Sequence, residues 1–169
     1  TKDPRKGADL LFKALKRIKD QKYNDYLSSI ELLIFGESKE FNLSEENFPI
    51  HYFGHLYDDI SLRILYSAAD LLVIPSRLEA LGQTAVESHA CGRPVVGFNH
   101  GGLVDVIENK KTGSLANPFD PDHLATEIQW ILENENRKIE LGKNARKRAE
   151  RLWSEERIAK LYTCLLYTS

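Results

Sequence analysis

Glu79-Ala-Leu-Gly-Gln-Thr-Ala-Val-Glu87 lies between two apolar runs, Leu71-Leu-Val-Ile-Pro-Ser76 and Pro94-Val-Val-Gly-Phe98. Short, nearly continuous apolar runs suit parallel strands covered on both faces. A strand, a turn and a short helix, in that order, bring two carboxylates and several backbone N–H groups to one edge of a sheet. In open α/β sheets the edge beyond the carboxyl ends of the strands is where ligands bind.

Outward from this stretch, helical and strand patterns alternate. Ala8, Leu11, Leu15 and Ile18 recur at three- and four-residue steps, which predicts an amphipathic helix. Strands are predicted at Ile30–Gly36, Ile50–Phe53, Leu71–Pro75, Pro94–Phe98 and, on a weaker signal, Ser114–Ala116. Glu37 to Pro49 has no clear period and reads as loop with one short helix at most. A helix over Asp58–Ala69 is expected to bury Ile60, Ile64, Leu65 and Ala68, and another runs from Gln83 to Ala90, stopped by Gly92. Val104–Glu108 reads as a short helix entered through Gly101-Gly102. Asp120 caps a helix whose first residue is Pro121 and whose apolar line is Leu124, Ile128, Ile131 and Leu132. A charged helix follows from about Asn136 to Leu152, and Ser154 caps a last one carrying Ile158, Leu161 and Leu165. This alternation predicts an α/β fold, a doubly wound parallel sheet, as a single domain over residues 1–169.

Composition narrows the class of protein. The 169 residues are 42% hydrophobic and 28% charged, with a net charge of −2, so no basic field invites nucleic acid. No apolar run nears the ~20 residues of a membrane span. The two cysteines, Cys91 and Cys164, form neither a disulfide framework nor a metal motif, and a reducing, cytoplasmic setting is expected. Cys91, between Ala90 and Gly92, reads as a small core residue. His55, His89 and His100 lack metal-ligand spacing, and no metal is assigned. The basic run Lys143–Arg151 is interleaved with acids and reads as a solvated helix face. The chain starts at Thr1 and contains no Met, so it is expected to be part of a longer protein.

Three roles are open to Glu79 and Glu87 on spacing alone. They could be solvated acids, they could hold one ligand, or they could be the acid and nucleophile of a glycoside hydrolase. The flanking strands imply a largely buried helix, in which a carboxylate needs a partner. Gly82 permits close backbone approach. The first N–H groups of the helix lack internal acceptors and sit at the positive end of its dipole, suited to a phosphate or to sugar oxygens. Glu87, one turn after Gln83, shares its face. A carboxylate there can accept two hydrogen bonds from a vicinal diol such as ribose. A hydrolase pair has no need of a phosphate-ready helix end between its acids.

Pro75-Ser76, Glu79, Leu81-Gly82, Glu87, Ala90-Cys91-Gly92-Arg93-Pro94-Val95-Val96, Gly101-Gly102 and Thr112-Gly113 together resemble glycosyltransferase family 4, retaining enzymes of the GT-B fold. The resemblance runs from about Arg5 to Tyr162 and covers the C-terminal, Rossmann-like donor-binding half of that fold. It implies a domain that holds a nucleotide-diphosphate sugar and takes part in moving the sugar to an acceptor. Glu87 then matches the ribose-binding glutamate, and Glu79 the glutamate beside the donor sugar hydroxyls. Leu81, Gly82, Gln83 and Thr84 match the segment whose N–H groups meet sugar and diphosphate. Lys6, in Arg5-Lys6-Gly7, matches the lysine that neutralises the diphosphate, with Arg5 beside it in the donor site. Leu56 and Tyr57 match the turn along the base. The resemblance implies catalytic roles for Glu79 and Lys6, no bound metal, and no cofactor beyond the donor itself.

The same resemblance implies that an N-terminal acceptor domain and the first, central strand of this domain lie before residue 1. A strand-end Arg that binds phosphate would precede residue 1 as well. The 169 residues alone are accordingly expected to be weakly stable and not to transfer sugar. Peripheral membrane contact is expected only through the absent domain, and the last helix would cross back onto that domain. Two other functions share the fold: a sugar-nucleotide epimerase, which needs its acids and histidines placed differently, and a nucleotide-sugar-binding module without catalysis, against which Lys6, Glu79 and Glu87 argue.

Overall fold

The computed structural model describes residues 3–20, 30–36 and 48–167, with side chains to residue 163. The stretch read as loop after the first strand falls mostly at residues 37–47, outside the described residues.

A single 3-10 turn, Pro4–Lys6, ends at Gly7 and leads into α1 (Ala8–Asp20). The order is then β1 (Leu32–Phe35), β2 (Ile50–Gly54), α2 (Asp59–Ala68), β3 (Leu72–Ile74), α3 (Gln83–Ala90), β4 (Val95–Phe98), α4 (Leu103–Val106), β5 (Gly113–Ala116), α5 (Pro121–Leu132), α6 (Glu135–Trp153) and α7 (Glu155–Tyr167). Local chemistry sets most of the boundaries. Asp58 accepts a hydrogen bond from the Ser61 N–H at 2.8 Å, Asp120 from those of Asp122 and His123 at 3.0 Å, and Asn134 from that of Arg137 at 2.9 Å. Each satisfies a helix-start donor that the helix itself leaves unpaired. Ser154 immediately precedes α7, and its carbonyl accepts from the Ile158 N–H at 3.0 Å.

All strand pairings are parallel. Among the described residues β1 pairs with β2, and β3 with β4 and β4 with β5, giving two sheets rather than one continuous sheet. A cavity of about 420 Å³ separates them, lined by Leu32, Leu33 and Phe35 of β1, Leu72 and Val73 of β3, and Leu15 of α1. The Leu32 N–H bonds toward β2 and the Leu72 N–H toward β4. Amides alternate sides along a strand, so those of Leu33 and Val73 face the cavity.

The larger core lies under the second sheet. Phe98, Val96, Ala116, Leu124, Ile128 and Ile131 are buried there with Leu10, Ala14, Leu15 and Ile18 of α1. Burying one such large apolar side chain contributes roughly 1.5–3 kcal/mol. A second cluster joins Ile74, Ala85, Val95, Leu103, Val106 and Ile107 around α3 and α4. Glu127, buried beneath β5, is held by Lys110, Ser114 and, at 3.0 Å, His123. Burial raises its carboxyl pKa, but those partners outweigh it and hold the group below its usual range.

Two expectations about buried faces need correction. Leu65 is buried in α2 together with Tyr66, whereas Ile60 and Ile64 are 72% and 64% exposed and Ala68 is exposed. Tyr66, amphipathic and large, fills the position against Phe35 instead, ring edge to ring face at 5.6 Å. Cys91 is half-buried at the end of α3 rather than in the core. On α7, Leu161 and Tyr162 are exposed.

β5 begins at Gly113, one residue earlier than expected, because β4 leaves no room for a side chain there. A Cβ on Gly113 would stand 2.0 Å from the Val95 carbonyl oxygen. Gly113→Ala should therefore lower stability by about 3 kcal/mol or more, read as a shift of the urea midpoint at constant slope.

Candidate functional site

The loop after β3 is held from two sides by backbone contact. On one side lies Gly7, whose missing Cβ would come within 1.9 Å of the Pro75 oxygen, and whose φ of +66° suits glycine. Beside it the Arg77 N–H donates to the Arg5 carbonyl at 2.7 Å, and the Arg77 guanidinium donates to the Pro4 carbonyl at 2.8 Å. Arg77 also forms a two-pronged pair with Asp9, at 2.7 and 2.6 Å, which holds the Asp9 carboxyl below its usual range. The Arg5-Lys6-Gly7 turn and the loop after β3 are thereby one unit.

On the other side lie Gly101 and Gly102. The Gly102 N–H donates to the Glu79 carbonyl at 2.7 Å, and a Cβ on Gly102 would fall 2.3 Å from the Ala80 oxygen. A Cβ on Gly101 would fall 2.5 Å from the Glu79 oxygen. The Gly-Gly pair after β4 is needed because one main chain lies directly on another.

The clamped loop turns into α3 through Gly82, buried and left-handed at φ +69°. The Glu79 carboxylate accepts from the Gly82 N–H at 3.3 Å, but α3 has no side-chain cap on its first turn. The Gly82 carbonyl takes the N–H groups of Ala85 and Val86, leaving those of Gln83 and Thr84 at the uncapped, positive end of the helix. Gln83 and Leu81 are exposed and Thr84 half-buried. One turn on, half-buried Glu87 accepts from Gln83 Nε2 at 3.1 Å on one carboxylate oxygen. Its other oxygen accepts from the Tyr66 hydroxyl at 2.8 Å.

The structure thus gathers Glu79, Leu81, Gly82, Gln83, Thr84 and Glu87 on one segment, with the Arg5–Lys6 turn tied to the strand end below it. Lys6 is exposed there. Arg5 is paired with Asp3, its Nη2 2.8 Å from Oδ2, rather than with any residue of the segment. Leu56 and Tyr57 follow β2, at the same end of the parallel strands. Leu56 is half-buried; Tyr57 is 91% exposed, its ring 6.1 Å from that of His55. Among the described residues no hydrogen bond or ring contact joins these two to the Glu79–Glu87 segment. Sequence reasoning missed Tyr66 and Arg77. Both act across long chain separations, and only the alternation of Tyr66 with Ile60 and Ile64 around the helix hinted that the apolar face had a second solution. No group of three or more His, Cys, Asp or Glu among the described residues is arranged to hold a metal ion, and no helix is long and apolar enough to cross a membrane.

His89, on the far face of α3, is fully buried, and neither ring nitrogen has a partner that meets hydrogen-bond geometry among the described residues. Burial pushes its imidazole down to about 4; the Thr112 backbone opposes this and the Arg148 charge adds to it.

The comparisons agree with this architecture. The family model described as Glycosyl transferases group 1 matches residues 2–148, and the chain belongs to that family. It is 38% identical over 98 residues to D-inositol 3-phosphate glycosyltransferase 2 of Catenulispora acidiphila, covering 57% of this chain and 23% of that protein. It is 30% identical over 151 residues to the D-inositol 3-phosphate glycosyltransferase of Segniliparus rotundus, covering 83% of this chain and 32% of that one. Among solved structures, sucrose-phosphate synthase from Thermosynechococcus elongatus superposes with a TM-score of 0.77 at 29% identity, over 99% of this chain and 44% of that one. Anabaena HepE in complex with UDP-glucose gives 0.80 at 22% identity, over 99% and 46%, a likeness of fold. The chain therefore spans about a quarter to a third of these curated relatives and under half of the solved chains, and its fold is that of part of a GT-B glycosyltransferase.

Because the folded state keeps His89 neutral, the unfolded chain binds more protons between the two pKa values. Stability should be full above the ordinary histidine value of 6.5 and fall as pH drops toward 4, by about 3 kcal/mol in all. Chemical denaturation across that window checks it, and His89→Leu should flatten the slope.

Proposed function

We propose that this chain is the donor-binding half of a retaining glycosyltransferase that moves a sugar from a nucleoside diphosphate to an acceptor. The observation that carries the reading is the start of α3. An uncapped helix end lies beside Glu79, and one turn away Glu87 stands half-buried on the same face. Phosphate oxygens suit the free N–H groups of Gln83 and Thr84. A ribose cis-diol suits a carboxylate with acceptor capacity to spare. The spacing lets one ligand reach both, with the sugar toward Glu79 and the nucleoside toward Glu87, Leu56 and Tyr57. That Anabaena HepE was solved with UDP-glucose supports a ligand of this class.

In the reaction the bond between the anomeric carbon and the diphosphate oxygen breaks, and the electron pair leaves with the diphosphate. Negative charge grows on the phosphates as that happens. In this reading the α3 dipole and Lys6, with Arg5 next to it in the chain, stabilise that charge, which is electrostatic catalysis with no call on a metal or cofactor. Glu79 orients the sugar hydroxyls and does not serve as a hydrolase acid. Acceptor recognition, and any peripheral contact with a membrane, belongs to a further domain of the longer protein. The two cysteines, without a disulfide framework, fit a cytoplasmic setting.

Titration calorimetry of the full-length protein with uridine and guanosine diphosphate tests the reading. One of them should bind, and Glu87→Ala should weaken it by roughly 10- to 150-fold, from the ~1.5–3 kcal/mol of a charged hydrogen bond. Equal affinity in wild type and Glu87→Ala would remove the ribose assignment. Lys6→Ala should lower sugar transfer more than it lowers diphosphate affinity, since its charge counts most as the leaving group departs.

A further inference from the structure

The Glu87 carboxylate is braced from two directions before any ligand arrives. Gln83 comes from its own helix and is exposed. Tyr66 comes from α2, which follows β2, so its hydroxyl joins that helix to α3. Tyr66 is buried, with its ring against Phe35. α2 is itself fixed at both ends. Asp58 caps its start, the Arg93 guanidinium donates to the Ser67 carbonyl, and Asp70 just beyond pairs with Lys138 at 2.6 Å. The phenol oxygen therefore cannot drift without moving the helix. Burial and the neighbouring carboxylate raise the phenol well above its ordinary range, so the hydroxyl stays protonated and donates.

A carboxylate offers about four lone-pair directions. Tyr66 and Gln83 each occupy one, on different oxygens, which leaves one on each oxygen. Two open acceptor positions on one fixed plane suit the two hydroxyls of a cis-diol. A freely rotating carboxylate would accept a single hydroxyl almost as well.

We propose that Tyr66 is a positioning residue that makes Glu87 a selective receptor for a ribose diol over a deoxyribose. This rests on the reading of Glu87 as the ribose ligand. Tyr66 touches no substrate; it acts by removing the rotational freedom of the carboxylate, so that binding a diol costs little further ordering.

The test is calorimetry on the full-length protein with uridine and guanosine diphosphate and their 2′-deoxy forms, comparing wild type, Tyr66→Phe and Glu87→Ala. Phenylalanine keeps the ring against Phe35 and removes only the donor. A lower folded fraction raises both apparent dissociation constants by the same factor, so the ribo-to-deoxy ratio is readable even if Tyr66→Phe is less stable. Tyr66→Phe should weaken the ribonucleotide by about tenfold, leave the deoxy form nearly unchanged, and so collapse the ratio. A merely structural role would weaken both forms alike, and that result would overturn the proposal. If Glu87→Ala abolishes the ratio while Tyr66→Phe preserves it, the ribose reading stands and the role of Tyr66 is refuted. If Glu87→Ala leaves the ratio intact, or neither nucleotide binds wild type, the ribose reading itself fails and this proposal with it.

Discussion

The contact on which the site depends is main chain against main chain, at the loop after β3. Gly7 lies on Pro75, and Gly101 and Gly102 lie on Glu79 and Ala80. Contacts of this kind involve no rotamers, and their geometry cannot relax around an added methyl group. They fix where the loop leaves the strand, and hence where Gly82 starts α3 and where its first N–H groups are. Glu79 and Glu87 inherit their positions from that start. The first takes the Gly82 N–H, and the second stands one turn farther along the helix.

Around this clamp the fold is uneven in its packing. β4 is buried along its whole length, between β3 and β5, with the larger core beneath. β1 and β2 form a separate pair across a cavity, and every residue of β1 is only partly buried. What ties the two parts together near the site is polar and aromatic. Tyr66 reaches Glu87 with its hydroxyl and Phe35 with its ring. A side chain that both packs and donates can span a joint that an aliphatic residue could only fill. The apolar residues on the opposite side of α2, Ile60 and Ile64, stay exposed as a consequence.

Sequence and structure agree where a signal is local. The Asp120 cap, the Pro121 start, and the span of α3 follow from residue types within a few positions of one another. β4 and the β3 core, being continuous apolar runs, were equally legible. The reading erred where two solutions had the same local pattern. Isoleucines at i and i+4 looked like the buried face of α2, yet the buried face centres on Leu65 and Tyr66. The last strand was expected from Ser114, yet it starts at Gly113, where only a glycine fits beside Val95. Asn134, which caps α6, lay just outside the range assigned to that helix.

By itself, then, the sequence determined the α/β class, the parallel pairing, the strand–turn–helix that carries Glu79 and Glu87, and the family to which the chain belongs. These follow from periodicity and from residue types at short spacing, which each act within a turn or a strand. Only the tertiary structure decided that Arg77 binds the Arg5–Gly7 turn to the loop after β3. It alone showed that Gly101-Gly102 carries that loop from the other side, and that Tyr66 braces Glu87. Each of these joins residues far apart in the chain through one hydrogen bond or one close approach. Such pairings leave no trace in local pattern, because their energy depends on where packing brings two elements and not on what either element is.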